Sequence, residues 1–377
     1  MELVIERVAL LNSLAMVQGI VERRNTVPIL GHVLLEPEAG KLKLSATDLE
    51  VGIRTEVACK GSDKGGLTLN ARKLFEIVRE AEGDEVAFKS LDGDWIELKC
   101  GRARFKMMSL DPRSFPAMPA AKAVTDAAQK TVKGDLKAPA AVLAAMIDKT
   151  LFAVSPDEAR YNLSGVYIEA PTAGMTRMVA TDGHRLAMVD REIAGFAMQG
   201  GAIIPRKGLA ELRKLLDQAG DAEVDLSLDG QLAWLKRGAT EVSMRLVEGE
   251  FPDYRGVIPK QSRYQIAVPR GALLSSIKRA AIFSNERYHG VKLALSPGML
   301  TVSSASPEMG EASEEIDVEF AGGEFSVGFN ASYIQQVLSV IPDDSDAILG
   351  LSDEVSPGVI TTSSDSEFTY VVMPMRL

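Results

Sequence analysis

Asp182 and His184, with Gly183 between them, are an acid and a histidine spaced so that one could orient the other for proton transfer. Nothing around them completes a catalytic set. The sequence has no Ser or Cys nucleophile elbow, no His-x-x-x-His and no phosphate-cradling Gly-x-x-x-x-Gly-Lys. Its other histidines, His32 and His289, stand beside Gly31 and Gly290 in strand-like stretches. Asp182-Gly183 therefore reads as a turn between strands and His184 as a polar wall residue. Cys59 and Cys100 fit no metal-ligand or redox spacing and read as buried or half-buried thiols. No metal, no cofactor and no catalysis are expected.

The turn containing Asp182 is one of a series. Ala46-Thr47-Asp48, Ala180-Thr181-Asp182 and Ala305-Ser306-Pro307 are spaced by 134 and then 125 residues, as are Gly31, Gly165 and Gly290. Ala71-Arg72-Lys73, Pro205-Arg206-Lys207 and Asn330-Ala331-Ser332 keep the same steps, and Phe115-Pro116, Phe251-Pro252 and Met373-Pro374 close the copies. A period this long exceeds the roughly 20–50 residues of solenoid repeats, so each copy is large enough to bury a core of its own. Three domains are also what 377 residues suggest at about 100–150 residues per domain. We place them at 1–128, 129–262 and 263–377, with Ala117 to Gln129 and Pro259 to Gln265 as linkers.

No stretch approaches the roughly 20 apolar residues of a membrane span, and the first residues lack a basic segment followed by an apolar one. A cytoplasmic protein is expected, with no membrane partner. The net charge of -10 argues on its face against a nucleic-acid partner, but its distribution says more. Pro307 to Glu324 holds seven acids and no Lys or Arg, whereas Arg206 to Lys214 carries four bases against Glu211, and Arg270 to Arg287 four against Glu286. Such segregation allows one basic face and one acidic face.

Within the middle copy, Pro139 to Lys149 has the Ala and Leu content of a helix, and strands follow at Gly165–Glu169, Thr176–Thr181 and Arg185–Val189. The pattern then restarts. Ala202–Ile204 reads as a strand and Arg206 to Gln218 as a helix, followed by alternating strands at Val224–Leu228, Gln231–Leu235 and Glu241–Leu246. In the last copy Tyr333 to Ile341 is the second helix and Phe368 to Met373 the final strand. The fold class is α+β, each domain a doubled helix-plus-antiparallel-sheet unit with its few helices together on one side.

Asn25 to Gly31, Ala46 to Glu50, Val179 to Ala187, Pro205 to Gly208, Phe251 to Arg255 and Tyr370 to Leu377 together resemble the bacterial β sliding clamp family, the processivity subunit of DNA polymerase III, and the resemblance spans the whole chain. It implies three tandem clamp domains in a head-to-tail homodimeric ring, with helices lining a hole threaded by duplex DNA. Its implied DNA-facing residues are Arg24, Arg72, Lys149, Arg206, Lys207 and Lys278, with Tyr161 on a neighbouring loop. Contacts of this kind hold phosphates without reading bases. A sheet-rich hydrolase and a non-ring peptide-binding adaptor are the alternatives.

The resemblance also implies an apolar groove between the middle and last domains that receives short linear peptides. The expected partners are the DNA polymerase III alpha subunit, the clamp loader delta subunit, and other DNA polymerases and repair proteins. From the middle domain its walls would be Arg160, Leu163, Thr181, Gly183, His184, Arg185, Leu186, Pro252 and Val257. From the last they would be Tyr288, Asn330, Tyr333, Val355, Val371, Val372, Met373, Pro374, Met375 and Arg376. Leu, Val and Met suit the apolar anchors of an extended peptide, and the methionines suit several partners. At the implied ring interface, Lys73, Arg102, Arg104 and Phe105 meet Ile282, Phe283, Glu308, Glu311, Glu314 and Glu315 of the other copy. The chain departs from the family pattern at Pro156-Asp157-Glu158, where polar residues approach DNA, at Gly256, where some relatives carry Arg, and at Pro357, in place of a small polar residue.

Overall fold

The computed structural model describes residues 2–21, 26–61, 65–118, 133–157, 159–194, 196–217, 220, 222–285 and 288–376. One succession of elements occurs three times, with one extra short strand, β13, in the second copy. The first copy runs β1 (Glu2–Glu6), α1 (Arg7–Val17), β2 (His32–Glu38), β3 (Lys41–Thr47), β4 (Val51–Gly61), β5 (Leu67–Asn70), α2 (Ala71–Glu80), β6 (Glu85–Ser90), β7 (Trp95–Cys100) and β8 (Ala103–Met108). The second runs β9 (Lys133–Pro139), α3 (Ala140–Asp148), β10 (Gly165–Glu169), β11 (Met175–Thr181), β12 (Arg185–Glu192), β13 (Ala197–Gln199), β14 (Gly201–Pro205), α4 (Arg206–Asp217), β15 (Glu223–Asp229), β16 (Leu232–Arg237) and β17 (Thr240–Arg245). The third runs β18 (Tyr264–Pro269), α5 (Arg270–Ala280), β19 (Gly290–Ser296), β20 (Met299–Ser306), β21 (Gly310–Asp317), β22 (Phe325–Asn330), α6 (Ala331–Val340), β23 (Asp346–Leu351), β24 (Gly358–Thr362) and β25 (Asp365–Val372).

Side-chain periodicity produces these elements. In β9, Lys133, Asp135 and Lys137 face water while Gly134, Leu136 and Ala138 are buried, the two-residue alternation of a strand with one dry face. In α4, Leu209, Leu212, Leu215 and Leu216 are buried on one stripe. Asn70 and Asn330 cap α2 and α6, their side chains accepting from the backbone N–H of Lys73 (3.0 Å) and Ser332 (2.9 Å). That cap starts α6 at Ala331, two residues ahead of the expected Tyr333. Strand pairing shifts two of the sequence landmarks by one residue, making Asn70, not Ala71, the counterpart of Pro205 and Asn330. His32 pairs with Asn70, Gly165 with Pro205 and Gly290 with Asn330, so the counterpart of the two later glycines is His32, one residue beyond Gly31.

Two compact bodies cut across the repeats. Met1–Ala144, Gly195–Gly200 and Lys207–Leu246 form the first, around a 13-stranded antiparallel sheet ordered β13-β9-β15-β16-β17-β4-β1-β6-β7-β8, with β3, β2 and β5 branching from β4. Ala145–Ala194, Gly201–Arg206 and Val247–Leu377 form the second, with an eight-stranded sheet ordered β14-β10-β11-β12-β25-β24-β23-β18 and a four-stranded sheet ordered β21-β20-β19-β22. Helix α1 packs on α2 in the first body, and α5 on α6 in the second.

In each body the last strand of one repeat pairs with the strand after the Thr-Asp turn of the repeat before it. β17 pairs with β4, Ser243 opposite Gly52, and β25 with β12, Val371 opposite Leu186. The linker expected at 117–129 and the boundary after 128 lie almost wholly outside the described residues, as does Arg24. The second linker is shorter than expected, since β18 already begins at Tyr264. No helix among the described residues is long and apolar enough to cross a membrane.

Candidate functional site

Thr181, Asp182, Gly183 and His184 build a tight turn between β11 and β12. The Thr181 hydroxyl donates to the Arg185 carbonyl (2.6 Å), and Asp182 Oδ1 accepts from the backbone N–H of His184 (2.9 Å) and Arg185 (3.1 Å). Gly183 sits at φ 88°, and a Cβ there would stand 2.9 Å from Arg160 Nη1, which instead donates to the Asp182 carbonyl at 3.1 Å. The backbone N–H of Met373 donates to the His184 carbonyl (2.9 Å), locking the end of β25 to this turn. With both Asp182 oxygens engaged, the pair that resembled proton-transfer machinery is a structural turn. The first copy repeats it, with Thr47 Oγ1 donating to the Val51 carbonyl (3.0 Å) and Asp48 accepting from Glu50 and Val51.

Beside the turn lies a cavity of about 290 Å³. Of the residues expected in the groove, Leu163, Thr181, Gly183, His184, Arg185, Leu186, Pro252, Val257, Val371 and Met373 line it. Asp253 and Tyr254, expected only as part of the Phe251–Arg255 motif, line it too. Their adjacency to Pro252 is the signal that could have placed them. The volume falls just below the roughly 300–1,000 Å³ of pockets that enclose drug-sized ligands, so it suits one or two apolar side chains of an extended chain.

The other expected wall residues lie outside this cavity. Val372, next to Val371 in β25, is on the opposite face of the strand and buried, because adjacent strand residues cannot share a face. Asn330 donates to the Tyr288 carbonyl (3.3 Å), and the backbone N–H of Met375 to the Gly328 carbonyl (2.8 Å), which lays the chain end along β22. Val355 and Tyr288 are strongly exposed, Arg376 is exposed, and Tyr333 and Pro374 are partly covered.

Polar groups fix the cavity from behind. Arg185 is buried; its Nε donates to Asp182 Oδ2 (3.0 Å), Nη2 to the Phe152 carbonyl (2.6 Å) and Nη1 to Gln336. Glu169, Arg177 and Asp190 lie abreast on β10, β11 and β12. Arg177 forks onto Asp190 (2.7 and 2.6 Å), and Arg255 reaches Glu169 (2.9 and 3.1 Å). Burial, then the Glu169 hydrogen bond, pushes the Tyr254 hydroxyl up to about 12, so at neutral pH it stays protonated and able to donate.

The set expected to face DNA is uneven. Arg206, Lys278 and Tyr161 are exposed. Lys149 is not available in the same way: its ammonium pairs with Asp365, leaving the side chain 13% exposed and 5.4 Å from the Phe368 ring centroid. Lys207 pairs with Asp48, and Arg72 donates to the Val21 carbonyl (3.3 Å). Sequence reading could not anticipate these partners, since both acids come from distant turns.

The ring-interface candidates sit on two edges. β8 is the outer strand of its sheet, with Arg104 and Lys106 exposed and Phe105 partly covered, and Arg102 stands exposed in the preceding turn. Beside it a cavity of about 500 Å³ is lined by His32, Lys73, Ile77, Met107 and Met108 among others. β21 is the outer strand of its own sheet, with Glu311 and Glu315 exposed and Glu308 just before it. Glu314 is taken up by Arg279 (2.8 Å), whose hydrogen bond, with one from Ser276, holds the carboxyl down at about 2. Ile282 is 68% exposed, and Phe283 lies against Gly310 at the start of β21.

Three copies of one strand-and-helix unit, joined by equivalent strand pairs, with an apolar groove at the second join, define a protein of the clamp fold. The chain belongs to the DNA polymerase III beta subunit family, the beta sliding clamps. The family's N-terminal, central and C-terminal domain models match residues 1–119, 137–253 and 255–376. The beta sliding clamps of Caulobacter vibrioides and Pseudomonas aeruginosa are each 37% identical to it, with all of both chains covered. The crystal structure of the Caulobacter crescentus beta sliding clamp superposes with a TM-score of 0.91 at 35% identity, covering 100% of this chain and 99% of that one.

Proposed function

We infer that the chain is a DNA sliding clamp: two copies close a ring around duplex DNA, and the groove tethers the replicative polymerase to it. The role is mechanical, holding an enzyme on its template without chemistry of its own. The observation that carries the reading is the repeated join. β17–β4 and β25–β12 are two instances of one strand pairing, and they leave β8 and β21 as an unmatched pair of the same kinds, one basic and one acidic. A third join of this kind must be made between copies, and a head-to-tail contact made twice closes a ring.

The register follows from the repeats. Cys100 opposite Ala103 corresponds to Arg237 opposite Thr240, so Lys106 takes the place of Ser243. Gly310, opposite Ser306, takes the place of Gly52, opposite Thr47. Lys106 then faces Gly310, Phe105 faces Glu311 and Arg104 faces Ala312 of the other copy. Ile282 and Phe283 supply apolar surface for the cavity beside β8, where Lys73 stands at the rim. Exposed ion pairs add little each, so the apolar contacts carry stability and the charges orient the approach.

Arg206, Lys278 and Tyr161 are the DNA contacts favoured by exposure, with Arg72, Lys149 and Lys207 contributing field more than direct contact, and Arg24 is a further candidate from the family resemblance. Enclosure makes tight affinity unnecessary. The groove receives a linear peptide of the polymerase alpha subunit, and the clamp loader delta subunit, other polymerases and repair proteins compete for it. Loaded onto nicked circular plasmid, the protein should stay bound and should run off once the plasmid is linearised. Equal retention on both would overturn topological enclosure.

A further inference from the structure

The two internal joins are alike in backbone but differ in the side chains that meet there. Where Leu186 faces Val371 at the second join, Gly52 faces Ser243 at the first. A Cβ on Gly52 would stand 2.5 Å from the Met118 methyl and 3.0 Å from Ser243 Oγ. Met118, three residues beyond Phe115, thus folds into the space a side chain at position 52 would take. It packs there against the cluster of Ile29, Leu30 and Phe115. Tyr254 holds the corresponding place, three residues beyond Phe251, and packs with Val179, Leu186 and Val371, yet the cavity beside it stays open.

Tyr254 is tethered where Met118 is not. Its hydroxyl donates to Glu169 Oε1 (2.5 Å) and accepts from Arg177 Nη1 (3.2 Å). The first repeat has the same row of charges abreast on its strands, Glu36, Lys43 and Glu56, but a thioether gives that row nothing to hold. We propose that Glu169 and Arg177 are positioning residues for the groove: neither lines the cavity, and together they fix the Tyr254 ring that forms part of its wall. The inference rests on the groove being a peptide site. It assigns the placement of the groove wall to a polar row one layer beneath it. Each member keeps a second partner, Arg255 for Glu169 and Asp190 for Arg177, so cutting the tether leaves no buried charge alone.

The test is a fluorescence-polarisation titration of the full-length protein with a fluorescein-labelled synthetic hexapeptide carrying Leu and Phe as apolar anchors. Tyr254→Phe keeps the ring and removes both tether bonds. It should weaken binding about tenfold, since the two hydrogen bonds that fix the ring in the groove wall are then gone. Glu169→Ala should weaken it by a similar factor, and the double variant should be no weaker than Tyr254→Phe alone, because Glu169 acts through that hydroxyl. Met373→Arg, which fills the cavity itself, serves as control. Binding that survives Met373→Arg would overturn the groove reading and this one with it. Binding lost in Met373→Arg but unchanged in Tyr254→Phe, or additive losses in the double variant, would overturn this inference alone.

Discussion

The guanidinium of Arg185 lies 4.4 Å from the centroid of the Tyr333 ring, between strand β12 of the middle repeat and helix α6 of the last. The same group forms an ion pair with Asp182 and caps the Phe152 carbonyl, and its own strand pairs with β25. Cation–π contact of this buried kind is worth about 2 kcal/mol. A single side chain therefore ties the groove turn, the helix of the last repeat and the segment after α3 into one wall. An arginine serves here because its planar fork can donate in three directions while its face covers a ring, which a lysine cannot do.

Replacing Arg185 should be among the most damaging single changes in the second body. Arg185→Ala strands the Asp182 carboxylate, which is only 6% exposed, and breaking one partner of a buried pair costs about 3–5 kcal/mol. Arg185→Lys keeps the charge but loses the fork and the stacking, so it should fall between alanine and wild type in thermal denaturation. Equal melting of the lysine variant and wild type would show that the fork is not what matters.

The architecture was legible because its signals are local. Period-two alternation, the Thr-Asp turns and the Phe-Pro closures all depend on neighbours in sequence, and Thr47-Asp48 and Thr181-Asp182 form the same hydrogen bonds in the structure. The groove was legible only in part. Val371 and Val372 look alike as residues, but the strand's pleat puts just one of them in the cavity. Lys149 and Lys207 look like free surface bases until the fold brings Asp365 and Asp48 to them from 216 and 159 residues away, as 365 − 149 and 207 − 48 give. The one-residue shift from Gly31 to His32 likewise needed the strand register, which no spacing of landmarks reveals.

Asp365 makes stability depend on acid. Burial pushes its carboxyl up, but hydrogen bonds from Arg191 and Lys149 outweigh this and hold it below the ordinary aspartate value. A depressed folded pKa contributes stability that is present above the unfolded value of about 3.9 and is lost as pH falls through the folded one. Melting temperature measured from pH 5 to pH 2 should therefore drop more steeply for wild type than for Asp365→Asn, which should already be less stable at pH 7. Parallel curves would remove Asp365 from the account of acid sensitivity.

Ile282→Ala combined with Phe283→Ala should convert the dimer to monomers in multi-angle light scattering. Ile282 exposes 68% of its surface in the single chain, and burying a side chain of that size contributes about 1.5–3 kcal/mol. Charge reversal at Glu315 should by contrast slow association and sharpen its salt dependence while leaving the dimer largely formed. A dimer that persists in the double alanine variant would place the contact elsewhere.

The register derived from the repeats can be tested with a disulfide. In an antiparallel pair, directly opposed residues have Cβ atoms about 4.5–5.5 Å apart, near enough to the roughly 3.5–4.5 Å of a disulfide for small adjustments to close it. Arg104→Cys with Ala312→Cys should then give, under mild oxidation, a covalent dimer on a non-reducing gel. Arg104→Cys with Glu311→Cys should not, because a one-residue slip moves the second thiol to the other face of the strand. Cys59 and Cys100 are present in both, so they cannot account for a difference between them. Cross-linking of the slipped pair in preference to the first would mean that the join between copies does not follow the pattern of β17–β4 and β25–β12, and the internal repeats would then no longer predict how the ring closes.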